Sequence, residues 1–482
     1  MQSLIICFLQ DRFWVNHIRR DRPIQGSVLI IMPVNPIDFG RYGHPEMISI
    51  FEEENRHTLW LRIEAVVAEV QAKMGLIPKE AAKDIERSAT PDLVTLARTM
   101  EIESKTRHDV VALVEAIAEQ CKGAGARWVH FGLTSNDIKD TALGLQLKSA
   151  FEVLLQQLDT LGETLSSRAT ETVQLIAVGR SHGQHAVPIT YGLRFAVWLD
   201  EVRRHKLRLI AAQSLSVVGK VAGATGSHAA LGLQGIEMQR MVLTDLGLGR
   251  PIASTQIIQR DRIAESVMAL ANLASSIDKI ATDLRNLQRT EIGETLEPFA
   301  KGKQVGSSAM PHKQNPVTCE KISGLARMVR SLVQPALENV VSWEERDISH
   351  SSTERFVIPQ AFILTDYITR EITRVLEGLA IDEQAVARNL ELTKGAIMSE
   401  LLVTMLTRAG FERPKAHEKL RAHSQVAQQS GKDFLEVVRG DPDFTDLLRE
   451  GDFDIDKYYG NIRAVSSQIV QEAISEYKKT RS

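Results

Sequence analysis

The residues from Arg260 to Arg289 read RDRIAESVMALANLASSIDKIATDLRNLQR, and their spacing decides the fold. Ile263, Val267, Leu270, Leu273, Ile277, Ile280, Leu284 and Leu287 alternate steps of four and three, the period of one face of an α-helix. Neither proline nor glycine interrupts the run, which predicts a single helix about 45 Å long. Its other faces carry Ala264, Ala269, Ala271, Ala274, Ser275, Ser276 and Ala281. Side chains this small let neighbouring helices approach closely. A helix that needs partners on more than one side belongs in a bundle, within the chain or shared between subunits.

The same period recurs on either side. One helix is predicted from about Asp140 to Arg168 through Phe151, Leu154, Leu155, Leu158, Leu161 and Leu165. Another runs from about Glu320 to Val341 through Ile322, Leu325, Val329, Leu332 and Val333, with a kink expected at Pro335. Nearer the start, Trp60, Ile63, Val67, Val70 and Met74 form a helical stripe that Gly75 ends. Alternating strand patterns are scarce and no βαβ rhythm appears. The fold expected is all-α, with three helical domains and a long central bundle. Residues 1–39 form an N-terminal extension, poorly ordered; 40–133 a first helical domain; 134–381 the bundle; 382–482 a C-terminal helical domain.

The composition is that of a soluble globular chain. Of 482 residues, 43% are hydrophobic and 25% charged, and 58 basic against 61 acidic side chains leave a net charge of −3. No basic field for nucleic acid follows from that balance. Cys7, Cys121 and Cys319 are scattered and form no CxxC, which points to a reducing compartment, the cytoplasm. No apolar run is long enough for a membrane helix. The run LIICFL, Leu4 to Leu9, lacks the basic start and small-residue cleavage site of a signal peptide. Met32 precedes the patterned sequence, so Met1 to Ile31 reads as an extension or as an upstream start.

Short polar islands interrupt this helical background. Arg107-His108-Asp109 and Thr134-Ser135-Asn136-Asp137 each precede an apolar-periodic run. Taken alone both are helix caps, although the same hydroxyls and N–H groups can bind a carboxylate or phosphate. In Ser181-His182-Gly183-Gln184-His185 two histidines stand three apart. No further ligand set of convincing spacing accompanies them, so proton transfer is better supported than a metal. The stretch Trp343 to Ser352, WEERDISHSS, alternates charges and clusters hydroxyls, with Arg355 just beyond. GKVAGATGSHAALG, Gly219 to Gly232, fits neither a dinucleotide fingerprint nor a P-loop and reads as a helix–helix connection. The last island, GSSAMPHKQNP from Gly306 to Pro316, is either a surface turn or a catalytic loop offering a serine and a cation.

Together the islands resemble the fumarase/aspartase superfamily, whose signature loop GSSxMPxKxNP is complete here. RYGHPEM at Arg41, TRHDVVA at Thr106, TSNDI at Thr134, STQIIQRD at Ser254 and WEERDISHSSTER at Trp343 are similar to its adenylosuccinate lyase branch. The likeness runs from about Arg41 to the C-terminus. It implies an all-α homotetramer with active sites built from three chains, a small nucleotide substrate, no cofactor and no metal, and no nucleic-acid or membrane partner. The reaction implied is β-elimination of fumarate from a succinylated amine. Such a step needs a base for a carbon-bound proton, an acid for the leaving nitrogen, and positive or N–H groups on the carboxylate.

By that resemblance Ser307 is the base, Lys313 and Asn315 hold the substrate carboxylate, and Lys313 also steadies the serine oxygen. His182 is the general acid, Glu320 orients it, and His108 is a second essential histidine. Arg41, Tyr42, Arg107, His108, Asp109, Thr134, Ser135, Gln256, Arg346, Ser351, Ser352 and Arg355 are the implied substrate contacts. Departures from the branch at Ser181, Val187, Gln314 and Lys321 touch fine contacts and leave the catalytic positions intact. Another fumarate-releasing lyase, such as argininosuccinate lyase, and a non-catalytic protein on the same scaffold are the alternatives.

Overall fold

The computed structural model describes residues 35–299, 309–310 and 312–480. Ser307 and the expected extension over Met1 to Ile31 lie outside the described residues. The chain divides into two units, Met1–Arg41 and Tyr42–Ser482. Among the described residues of the first, a 3-10 turn spans Pro36–Phe39; Asn35 Oδ1 accepts from Ile37 N at 3.1 Å, and Gly40 closes it in the left-handed conformation.

The second unit is helical almost throughout. Five helices come first: α1 (Pro45–Phe51), α2 (Glu53–Lys73), α3 (Lys79–Ser88), α4 (Leu96–Thr106) and α5 (Asp109–Gln120). Then α6 (Ser135–Glu171) leads into a hairpin of β1 (Ile176–Ser181) and β2 (Gln184–Thr190). Next come α7 (Tyr191–Ser216), α8 (Leu233–Leu246), α9 (Asp261–Leu287), β3 (Thr295–Leu296), α10 (Val317–Ser331), α11 (Val333–Glu338) and α12 (Ser349–Glu377). After β4 (Ala380–Ile381) the chain ends in α13 (Glu383–Glu391), α14 (Ser399–Arg408), α15 (Arg413–Ser430), α16 (Phe434–Arg439), α17 (Pro442–Thr445) and α18 (Ile455–Lys479).

The decisive stretch forms α9 as its spacing predicts, and all eight apolar residues of its stripe are buried. Its small-residue faces find their partners within the chain, since α7, α10, α11 and α12 all pack against it. The predicted helix from Asp140 starts earlier, at Ser135, because Thr134 provides the extended N-cap. The helix predicted over 320–341 breaks at Leu332, and α11 restarts with Pro335 inside it. A proline ring clashes with the carbonyl four residues back, here Ser331, where α10 ends. The glycine-rich stretch from Gly219 to Gly232 does connect two helices, α7 and α8.

The C-terminal helix α18 docks on α6 through Tyr477, whose hydroxyl donates to the Leu158 carbonyl at 3.0 Å. The hydroxyl end of the ring packs against Gly162: a Cβ there would sit 2.0 Å from the ring carbon Cζ. Only glycine allows that approach.

One buried histidine makes bundle stability depend on pH. His205 on α7 receives Arg208 Nη1 on Nδ1 at 3.4 Å, leaving Nε2–H to donate to Ser276 Oγ on α9 at 2.8 Å. Burial, then the charges of Arg208, Arg204 and Lys279 against the pull of Glu201, push its pKa down to about 4. The unfolded chain binds the proton nearer 6.5, so folding loses stability as pH falls from that value toward 4, by ~3 kcal/mol at the acid limit. Melting curves between pH 7.5 and 4.5 are expected to show a shallower acid loss for His205→Gln than for the wild type. Parallel curves would rule this histidine out as the cause.

Candidate active site

At the N-terminal end of α6 the polar islands meet. Asp137 is fully buried, and its carboxylate accepts from Thr134 N at 2.9 Å, Ala222 N at 3.0 Å and Gly223 N at 3.1 Å, and pairs with the equally buried Lys220. These bonds fix the start of α6 against the glycine-rich connection. Thr134 and Ser135 are thereby held in place, Thr134 as cap and Ser135 as first helical residue.

Ser135 Oγ lies 3.4 Å from His108 Nε2. His108 caps α5, with Nδ1 accepting from Val111 N at 3.3 Å. Beside it, Asp109 takes Lys139 Nζ at 2.6 Å, and Arg355 Nη2 approaches the same carboxylate at 3.8 Å. Burial pushes the Asp109 pKa up, but Lys139 and the bond from Val110 N outweigh it and hold the group below the ordinary carboxylate range. Arg107 ends α4 in the left-handed conformation and is exposed.

A second set of contacts brings α9 and α12 to the same place. Arg260, almost wholly buried, donates to both oxygens of Asp140 at 2.9 Å and to both of Glu354 at 2.7 and 3.2 Å. A planar guanidinium satisfies two carboxylates in this forked way and an ammonium does not. Burial pushes Glu354 up despite Arg260, whereas Asp140, which also receives Ile258 N, is held low. Arg346 Nη1 donates to Gln256 Oε1 at 3.0 Å. His350 is buried with no partner for Nδ1 among the described residues; burial and then Arg260 push its pKa down to about 4, so it is neutral at pH 7. A cavity of about 160 Å³ opens here, walled by Arg56, Trp60, Lys139, Arg346, Ser351 and Arg355 among others. Its cations and helix N-termini suit a bound anion. Ser352, exposed, donates to the carbonyl three residues back, Ser349 O, at 3.3 Å.

Of the remaining predicted residues, His182, Lys313, Asn315 and Glu320 lie at the opposite end of the bundle. His182 and Gly183, both with positive φ, form the two-residue turn of the β1–β2 hairpin, the geometry that matches strand twist. This hairpin packs on α13, α18 and the short turn Ala396–Met398. At the same end, Gln288 Nε2 at the close of α9 donates to Gln314 O at 3.1 Å, and Glu297 accepts Thr318 N and Cys319 N at 2.9 and 3.0 Å. The start of α10, with Lys313, Asn315 and Glu320 on or beside it, is thus tied to the end of α9. Tyr42 sets its ring edge-on to Tyr367, 6.1 Å away, and Lys321 donates to the Tyr367 hydroxyl at 2.9 Å. Arg41 belongs to the first unit. Among the described residues no group of three or more His, Cys, Asp or Glu is placed to share a metal ion.

One chain therefore cannot bring its two groups together. α6 contains 37 residues, about 55 Å of helix. The eleven residues from Glu171 to His182 recover at most ~40 Å of that when fully extended. At least ~15 Å remain between the His182 and Ser135 backbones, well beyond hydrogen-bond reach.

The residues that sequence reasoning passed over are Lys139, Asp140, Arg260, His350 and Glu354. Each lies in or beside a motif already singled out, and the signal available was the unexplained charge at its edge. The hairpin was also passed over. Its signal was His182-Gly183 between two short apolar runs.

The match to known proteins covers both groups. The family described as Lyase matches residues 40–331, and the one described as Adenylosuccinate lyase C-terminus matches 395–469. The adenylosuccinate lyase of Methanothermobacter thermautotrophicus is 44% identical over 446 residues, which is 92% of this chain and 99% of that protein. The chain belongs to the adenylosuccinate lyase family. Within that family, the Bacillus subtilis adenylosuccinate lyase is 39% identical, over 85% of this chain and 93% of its own. Among solved structures, the 3-carboxy-cis,cis-muconate lactonizing enzyme of Pseudomonas putida superposes with a TM-score of 0.83 at 30% identity, over 93% of this chain and all of that one. The fumarate lyase of Mesorhizobium sp. BNC1 gives 0.81 at 27%, over 90% and 98%. Membership makes the protein a lyase with an all-α fold. No helix among the described residues is long and apolar enough to cross a membrane.

Proposed function

We propose that the protein eliminates fumarate from adenylosuccinate to leave AMP, and from the succinylated carboxamide ribotide (SAICAR) to leave AICAR, in purine nucleotide synthesis. The likeness to adenylosuccinate lyases over 92% of the chain carries this reading. In the reaction Ser307, held ionised by nearby cations, takes a proton from the carbon beside a carboxylate. The electron pair forms the C=C bond, the C–N bond breaks, and His182 protonates the departing nitrogen. Lys313 and Asn315 hold the carboxylate on which charge develops, and Glu320 orients His182.

The cations around Arg346, Ser351 and Arg355 suit the nucleotide phosphate. Tyr42, Arg107, His108, Asp109, Thr134, Ser135, Gln256 and Ser352, with Arg41, complete the substrate contacts. The enzyme works as a cytosolic homotetramer whose sites each draw on three chains. The separation of the two groups along α6 supports that reading, because the residues assigned to acid, base and carboxylate lie apart from those suited to the phosphate.

Purified protein mixed with adenylosuccinate is expected to change the ultraviolet absorbance as AMP forms, with fumarate in equal amount. Fumarate from argininosuccinate, and none from adenylosuccinate, would move the activity to another branch of the superfamily.

A further inference from the structure

Two residues before His182, Arg180 turns inward and donates Nη2 to Glu294 Oε1 at 2.5 Å. The Glu294 side chain has no exposed surface. Its carboxylate also accepts from the Tyr191 hydroxyl at 2.7 Å and from Asn389 Nδ2 at 2.8 Å. Tyr191 opens α7, Asn389 lies on α13, and Glu294 itself directly precedes β3. One carboxylate therefore joins four stretches of chain.

The register of the hairpin shifts between Val178 and Arg180, and a bulge of this kind re-aims the side chain beside it. Burial pushes the Glu294 pKa up, yet the three donors overcome it and keep the group ionised. Losing any partner of such a group leaves a buried charge or dipole unmatched, so the arrangement is stiff. His182, by contrast, is exposed at the hairpin tip and hydrogen-bonded to nothing among the described residues. Its location is set by the stem beneath it, and the tight turn leaves no slack.

We infer that Glu294 is a positioning residue for His182: through Arg180 it fixes where the hairpin presents the imidazole. This rests on the reading of His182 as general acid. The nucleotide-facing group lies at the far end of the same chain, so substrate binding there is not what Glu294 controls.

The test compares Glu294→Gln in two backgrounds, the wild-type tetramer and His182→Gln, by steady-state adenylosuccinate cleavage, with native mass and melting temperature as controls. In the wild-type background kcat is expected to fall ~10²-fold, the scale of a misplaced catalytic group, while KM moves less than about threefold. In the His182→Gln background the same change should alter residual turnover less than about threefold, because the two act as one unit. If the Glu294 variant does not assemble, Arg180→Gln, which cuts the same link from the hairpin side, is expected to give the same pattern. An inactive His182→Gln beside a Glu294→Gln of near-normal kcat would overturn the inference alone. So would equal losses in both backgrounds, which mark a general structural role. Near-normal turnover in His182→Gln would instead remove the reading on which the inference stands.

Discussion

Replacing Ser307 by alanine is expected to lower adenylosuccinate turnover by ~10³-fold or more while leaving substrate binding nearly intact. The reaction starts by taking a proton from carbon, a step that the proposed reading gives to Ser307. His182 must deliver a proton and cannot also receive the first one in the same turnover. Lys313 is a cation. Glu320 is assigned to orienting the imidazole. A hydroxyl becomes a usable base only when cations hold its ionised form, which is the part assigned to Lys313. Alanine removes the oxygen and leaves the charge that would have steadied it.

Binding should survive because the residues suited to the nucleotide phosphate, Arg346, Ser351 and Arg355, are left unchanged. Titration calorimetry with adenylosuccinate on the variant is expected to give an affinity within about threefold of the wild-type KM. A variant that keeps turnover within about tenfold of wild type would remove Ser307 from the role of base.

What the sequence made legible follows from the range of the interactions involved. The helix α9 could be read because its stripe is local: each apolar residue predicts the next within one turn. The caps at His108 and Thr134 were visible for the same reason, since a cap lies beside the helix it starts. The clamp on Arg260 was not, because its partners stand 120 and 94 residues away and neither carboxylate sits in a helical pattern that demands a cation. Glu294 was invisible on the same grounds, with donors from Arg180, Tyr191 and Asn389 converging only after folding. The hairpin was missed because its strands are six and seven residues long, with a proline in the second, too short for alternation to stand out. Motif resemblance supplied the roles of His182 and His108 and implied sites built from several chains, without saying which residues one chain holds apart. That came from the length of α6.

This separation carries the second large expectation. His108→Ala and His182→Ala should each lose ~10²–10⁴-fold in turnover, the usual contribution of a positioned acid or base. When the two are co-expressed under different tags and mixed tetramers are isolated, activity should return. The His182 backbone stays at least ~15 Å from that of Ser135 in one chain, and Ser135 Oγ lies 3.4 Å from His108 Nε2; in the proposed shared site the two histidines come from different chains. In a randomly mixed tetramer half the chains carry a normal His108 and the other half a normal His182. A site drawing each from a different chain is then intact with a probability of about one quarter, and that fraction of wild-type activity is the expected yield. A site built within a single chain gives none, since no chain carries both. Tetramers shown by tag ratio to be mixed, and still inactive, would mean that the two histidines do not serve a common site.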